Sequence, residues 1–222
     1  MDVEVDHLFL CCDAAAHAEA AVLTRHGLRE GAPNTHPGQG TACRRFPFAN
    51  AYLELLWVDD TEVAGSPSVR PTRLLERWRA REGGLVSPFA VVMRPAPASP
   101  GAPRAAPFAT WSYHPPYLPP ELSIEVAEGT TLAEPDIFYL GFARPVDPSN
   151  DPGHHLPLRR LTRVEIAVVD DGQRSPATAA LAARGVVSFV PAAAPLATLG
   201  FDGEQAGASA DLRPDLPLVL RW

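Results

Sequence analysis

No lysine occurs anywhere in the 222 residues; all 19 basic side chains are arginine. That excludes a Schiff-base lysine, a lysine general base and a Walker-type phosphate loop, each of which needs a primary amine. A coding bias that favours Arg, Ala, Pro and Gly together is the plain explanation. Cysteine is scarce as well. Cys11 and Cys12 are adjacent, hence on opposite faces of an extended strand, and Cys43 stands alone. Neither a disulfide framework nor a zinc-ligand spacing can be built from these three, so a reduced, cytoplasmic setting is expected. There is no long apolar run. The longest uncharged stretch, Gly185 to Phe201, holds two prolines and two glycines and falls short of the ~20 apolar residues that span a bilayer. The start, MDVEVDHLF, lacks a basic region followed by an apolar one, so neither a signal peptide nor a membrane partner is expected. With a net charge of -7 and no basic block, nucleic acid is not an expected partner either. The motifs GxSxG, HExxH, CxxC and GxGxxG after a strand are all missing.

What is present is the composition of a folded chain, 46% apolar and 20% charged, enough to bury a core of its own. Val3 to Cys12 alternates and then turns apolar on both faces, as a central strand does. Asp13 is placed to cap an alanine-rich helix over Ala14 to His26, which stops at Gly27. A weak strand is read at Leu28 to Gly31, and NTHPGQG (34–40) reads as a loop. Strands follow at Thr41 to Phe48 and Ala51 to Val58, giving the order βαβββ. After a linker-like stretch, Asp59 to Ser68, a second helix begins near Pro71. Leu74, Leu75 and Trp78 form its apolar stripe, with arginines 73, 77, 79 and 81 set against them. Pro88 to Arg94 and Asp136 to Phe142 read as buried strands. The segment PAPASPGAPRAAP between them is left without regular structure, and many of the prolines fall in this region, WSYHPPYLPP included.

The last sixty residues repeat the first. VEVDHLFLCCD and LTRVEIAVVDD each end in aspartate, Asp13 and Asp170, and each leads to an alanine-rich helix closed by glycine, Gly27 and Gly185. The two spacings agree to within one residue, which points to a duplicated module. The expected organisation is a first βαβββ module over 1–60, then a helix and irregular Pro-rich segment with extra strands over 61–160, for which a degenerate middle module is one reading. A last βαβββ module follows over 161–222, and all three form one domain.

Glu54 is the most informative single residue, because it interrupts the otherwise apolar strand AYLELLWV. A carboxylate there is costly unless paired, hydrogen-bonded or metal-bound; the ordinary alternative is a partner arginine, Arg44 or Arg45, from the neighbouring strand. His7 lies on the Val5/Phe9 face of the first strand and, with Glu54, suits a divalent ion or an acid–base pair. His36 stands in the loop near the mouth of the same sheet, and His114 sits among Trp111, Tyr113 and Tyr117, which are suited to line a pocket. The pair His154-His155 reads as surface, and Asp59-Asp60 and Asp170-Asp171 as caps and turns. Nothing makes Cys43 a thiolate unless Arg44 or Arg45 lowers its pKa.

The segments DHLFL, HPGQGT and AYLELL, in that order within about fifty residues, resemble the glyoxalase-like domain of the vicinal oxygen chelate superfamily. The resemblance covers residues 5 to 58 well, is weaker over 83 to 160, and rests on the internal repeat beyond 161. It implies an α+β fold in which repeated βαβββ modules form curled mixed sheets around a cleft. It also implies that a His on the first strand and a Glu on the last, here His7 and Glu54, contribute to one divalent ion shared with a second module. In the last module Val164 and Val219 stand where those ligands would be, and neither PFAVVMR nor DIFYLGF carries a central His or Glu.

The missing ligands favour a metal-free or degenerate site: a protein binding a small oxygen-rich metabolite, a carboxylate among the candidates, with Glu54 and His7 as catalytic groups and His36, Arg44, Arg45 and His114 as substrate contacts. The alternative is a divalent-metal lyase, isomerase or dioxygenase using Zn, Ni, Mn or Fe, with His7 and Glu54 as an incomplete ligand set. A third is a non-catalytic dimeric scaffold; whether two chains pair as a homodimer stays open.

Overall fold

The computed structural model describes residues 2–96, 105–144, 153–154, 158–169 and 174–222. Its centre is β1 (Val3–Cys11), apolar on both faces over its second half. The reason is that neighbours flank both edges and packed layers cover both faces: β1 runs parallel to β4 (Tyr52–Val58) and antiparallel to β5 (Phe89–Pro95). With β2 (Asn34–His36), β3 (Thr41–Pro47), β6 (Thr110–Tyr113), β7 (Ile124–Ala127) and β8 (Asp136–Tyr139), they form an eight-stranded sheet ordered β2-β3-β4-β1-β5-β8-β7-β6. The two halves follow one rule. The first strand of each lies inside, its last strand runs parallel beside it, and the remaining two continue outward antiparallel. The β1–β5 pairing joins them.

A second sheet of five strands contains β9 (Leu161–Val168), β10 (Ser188–Pro191), β11 (Leu196–Phe201), β12 (Ser209–Asp211) and β13 (Leu218–Arg221), ordered β10-β9-β11-β13-β12. Here the last segment departs from a plain βαβββ run. β10 lies parallel beside β9, where β4 lies beside β1, and β11 pairs antiparallel with β9 as β5 does with β1. The mixed α+β class and the mixed sheets are as expected, and neither sheet closes into a barrel.

Strand alternation divides the apolar residues between two layers. Leu8, Leu10, Leu53, Leu55, Val91 and Met93 face one way, into a core shared with Val164, Ile166, Leu199 and Leu218 of the second sheet. Phe9, Cys11, Cys43, Leu56, Val92 and Phe138 face the other, over a cleft closed at one side by α3 (Leu74–Ala80). Among the described residues no helix is long and apolar enough to cross a membrane.

Three local expectations are corrected. The second strand is not Leu28 to Gly31 but β2, inside the NTHPGQG segment, where Asn34, Thr35 and His36 pair with Cys43, Ala42 and Thr41. Asp13 makes no side-chain cap, and α1 starts only at His17 (His17–Arg25), because Ala15 and Ala16 both have positive φ, 63° and 45°. The turn is forced by a close approach: Ala16 is fully buried, Arg44 Nε donates to the Ala15 carbonyl at 2.8 Å, and Arg81 takes the Asp13 carboxylate. The C-terminal end is as read, with Gly27 at φ 83° ending the helix. Arg77 is not on a solvent face of α3 but completely buried. The Pro-rich region also holds β6, whose Trp111, Ser112 and Tyr113 open WSYHPPYLPP, and β7 follows it. Asp60 does cap a helix, α2 (Thr61–Ala64), by accepting from the amides of Glu62 and Val63. Residues 97–104 of the Pro-rich segment, His155, Asp170 and Asp171 lie outside the described residues.

Candidate functional site

One face of the eight-stranded sheet lines a cavity of about 220 Å3. Register puts the site together. Phe9 is opposite Glu54, Arg45 is also opposite Glu54, and Cys43 lies between Asn34 and Leu56, so these side chains share the cleft face. Of the residues singled out from sequence, His7, His36 and Glu54 line the cavity, as do Tyr113 and Tyr117. Arg44 does not. It faces the opposite side, where Glu30 at 2.8 Å and the Ala15 carbonyl hold it. Arg45 is on the cleft face but at its margin, and its Nε is turned to the Ala32 carbonyl at 3.0 Å. His114 is exposed and outside the cavity, because alternation in β6 sends Tyr113 inward instead. His154 accepts from the Arg29 amide at 2.8 Å and packs on Phe48, away from the cleft.

His7 is held on three sides. Its Nδ1 is 2.7 Å from Asp6 Oδ1, its ring stacks on Tyr52 with centroids 4.2 Å apart, and its Nε2 is 3.7 Å from Glu54 Oε2. Asp6 is itself gripped by Arg94, whose Nη1 donates to Oδ2 at 2.9 Å while its Nε donates to Glu4 at 2.8 Å. Burial would raise the Asp6 pKa, but the His7 hydrogen bond and the charges of His7 and Arg94 outweigh it and leave the group below its ordinary value. An ionised carboxylate only accepts, so His7 Nδ1 carries a proton, and Nε2 is left facing Glu54 and the cleft. A shift in β1–β5 register between Val5 and His7 is what lets consecutive residues meet this way. Sequence reasoning passed over Asp6; the signal available was its position beside His7 in DHLFL.

A second chain of bonds starts at the other wall. Tyr117 donates to Gln39 Oε1 at 3.3 Å, and Gln39 donates to Thr41 Oγ1 at 2.8 Å. Thr41 Oγ1 is 2.9 Å from His36 Nδ1, and Asn34 Nδ2 is 3.2 Å from His36 Nε2. Burial lowers the His36 pKa, with Glu54 opposing, so the ring is neutral near neutrality. The buried Cys43 thiol is raised, first by burial and then by the charge and hydrogen bond of Glu54. Cys43 is therefore a thiol, not a nucleophilic thiolate.

Apart from Thr72, whose hydroxyl donates to the Val69 carbonyl at 2.7 Å, the rest of the lining is apolar: Phe9, Leu56, Leu74, Val92, Leu118, Ile124, Phe138, Leu140 and Phe142. The Tyr113 hydroxyl is buried in this wall without a hydrogen-bond partner among the described residues. The cleft thus has a polar pole supplied by β1 to β4 and an apolar remainder supplied mainly by β5 to β8. The model of the glyoxalase-like domain matches residues 5–116, half of the chain. The chain belongs to the glyoxalase-like domain family. No curated protein sequence matches it. A solved structure, that of a hypothetical protein from Staphylococcus aureus, superposes over 99% of this chain and 98% of that one with a TM-score of 0.55 at 7% identity, a likeness of fold alone.

Among glyoxalase-like domain proteins the expected ion draws ligands from both halves of the sheet. The first-half pair is here, His7 with Glu54. In the second half, however, Val92 lies directly opposite His7, and β8 with its following turn presents Phe138, Leu140 and Phe142. None of these can ligate, so the two-half ligand set does not fit this chain.

Proposed function

We propose that this glyoxalase-like protein binds a compact, mostly apolar, uncharged molecule with an oxygen-bearing end, and that His7 moves a proton at that end. The observation that carries this reading is the division of the cavity into a polar pole and an apolar remainder. No arginine lines the cavity among the described residues, while a buried glutamate does. A free carboxylate ligand would meet that glutamate without a countercharge, which disfavours an anion. The volume is below the ~300–1,000 Å3 of pockets for drug-sized molecules, which fits a small metabolite. The unpartnered Tyr113 hydroxyl is a hydrogen-bonding group left for the occupant, since an unsatisfied buried hydroxyl costs about 1–3 kcal/mol.

In this reading Asp6 keeps the proton on Nδ1, so Nε2 is free to accept one from the ligand, and the Glu54 charge stabilises the imidazolium that results. Removal of a proton next to a carbonyl, the first step of an isomerase or lyase, is the reaction class this supports. Three buried, unpaired cysteines support a reducing, cytoplasmic setting.

The test is a ligand-observed NMR screen of chelator-treated protein with small neutral carbonyl compounds and, in parallel, the matching carboxylates. Neutral compounds with an apolar tail should bind, and Val92→Trp, which fills the cavity, should remove binding while the fold persists. Binding restricted to carboxylates, or binding indifferent to Val92→Trp, would overturn the reading.

A further inference from the structure

The polar pole contains a donor set of which the acid–base reading uses only Glu54. His36 on β2, Cys43 on β3 and Glu54 on β4 each offer one ligand atom, and these atoms lie within 4.8 Å of one another. They come from three adjacent strands whose register, Asn34 opposite Cys43, Cys43 opposite Leu56 and Arg45 opposite Glu54, turns Cys43 and Glu54 to the cleft face. We propose that His36, Cys43 and Glu54 form a site for a soft divalent cation of the zinc or cobalt type, built within the first half of the sheet and open towards the cleft.

Three observations support it. Glu54 is only 4% exposed, and the one ion-pair contact it makes among the described residues is His7 Nε2 at 3.7 Å. Arg45, its neighbour across the strands, is turned to a carbonyl instead. A carboxylate buried this far without a cation is costly, and a bound cation removes that cost. Next, the imidazole is already oriented. Thr41, fixed by Gln39, takes Nδ1–H, which is the outer support that metal-bound histidines use, and Nε2 becomes the ligand once it exchanges the Asn34 amide for the metal. Lastly, one nitrogen, one sulfur and one oxygen suit zinc or cobalt and not magnesium or calcium, which want oxygen ligands. Tetrahedral ligands at bond lengths of about 2.0–2.3 Å sit roughly 3.5 Å apart, so the three groups need to close by about an ångström. Three protein ligands leave the fourth position to water or to an oxygen of the cleft's occupant.

This differs from a two-half ligand set, since it takes nothing from β5 or β8 and brings in a thiolate. It does not depend on the identity of the occupant proposed above. On binding, the Cys43 thiol loses its proton to solvent and the sulfur becomes a ligand; no electron is transferred.

The experiment is a titration of the chelator-treated full chain, without an affinity tag, with cobalt(II) alone, read by absorption. One cobalt per chain with a near-ultraviolet thiolate-to-cobalt charge-transfer band is expected. Cys43→Ala should abolish the band, Cys11→Ala should keep it, and His36→Gln should weaken cobalt binding at least tenfold. Should Cys43→Ala lose its far-ultraviolet circular dichroism, the near-isosteric Cys43→Ser replaces it. Absence of binding, a band that survives in the Cys43 variant, or cobalt lost only with His7→Ala would each overturn the proposal. Because the carbonyl screen uses metal-free protein, failure of one reading is separable from failure of the other.

Discussion

Tyr113 and Asp6 show how single groups in this cleft combine a stability role with a ligand role. The Tyr113 hydroxyl is buried and unpartnered, and burial pushes its pKa up to about 12, so it faces the cavity as a neutral group. Tyr113→Phe should therefore leave the free chain as stable as its parent, or more stable by a fraction of the ~1–3 kcal/mol an orphan hydroxyl costs. The same change should weaken a bound ligand by about tenfold, the worth of one net hydrogen bond. Urea denaturation and ligand titration read the two effects, and a clearly destabilised Phe variant would mean that the hydroxyl is partnered in the free protein. Asp6 titrates in the opposite sense. Its folded pKa is depressed by His7 and Arg94 against the pull of burial. Stability from such a carboxylate is fully present above the unfolded value, about 3.9, and is lost as the pH falls through the lower folded value. Asp6→Asn should therefore be less stable than the parent at pH 7, by on the order of 1–3 kcal/mol, with the gap narrowing below about pH 4. A gap unchanged from pH 7 to pH 3 would show that shape, and not charge, is what Asp6 supplies.

At the scale of elements, α3 is fixed to the sheet by one buried ion pair. Arg77 binds Asp136 through Nε and Nη2, both at 2.7 Å, and donates to the carbonyls of Leu132, Glu134 and Ser87. Arg77→Met should cost about 3–5 kcal/mol, because it strands a buried carboxylate. Adding Asp136→Leu should recover most of that loss, since an apolar pair of similar volume can replace a buried ion pair. If the double variant, followed by urea denaturation, stays as unstable as the single one, the carbonyl contacts of Arg77 and not the pair are what holds α3. The same residue shows what a sequence conceals. Arginine at 77 reads as a polar face, and its burial depends on Asp136, 59 positions away. By contrast β1, β3 and β4 were legible because alternation and apolar runs are local, and Glu54 stood out because it breaks such a run. β2 was misplaced since its residues, Asn, Thr and His, are those of a turn, and the strand exists only through its ladder with β3. β6 was hidden by WSYHPPYLPP, where prolines follow the strand at once. His7 and Glu54 drew notice as polar groups among apolar ones, and His36 through a loop near the mouth of the same sheet; all three line the cavity. Arg44 and His114 were not ruled out, because alternation assigns a face only once the neighbouring strand is known.

The whole molecule rests on a core that the two sheets share. Leu8, Leu10, Leu53, Val91 and Met93 of the larger sheet meet Val164, Ile166, Leu199, Phe201 and Leu220 of the smaller in one continuous cluster. The catalytic candidates are all on the opposite face of the larger sheet, so the smaller sheet supports the cleft from behind without touching it. Two contacts tie them tightly: the Asn50 side chain both donates to the Leu161 carbonyl at 2.9 Å and accepts from its amide at 2.8 Å, beside Phe48 stacked edge-on to Phe201. A chain ending before β9 would expose an apolar sheet face far larger than the few hundred Å2 that soluble monomers tolerate. It should therefore be recovered largely insoluble, or as a species that binds a hydrophobic dye and lacks a cooperative unfolding transition. The family match, by contrast, ends at residue 116, well inside the larger sheet, so a soluble, cooperatively folding truncation would show that the second sheet is an accessory and that the cleft is held by its own half of the core. The cobalt titration on that soluble fragment would then give the parental band, since His36, Cys43 and Glu54 precede the cut.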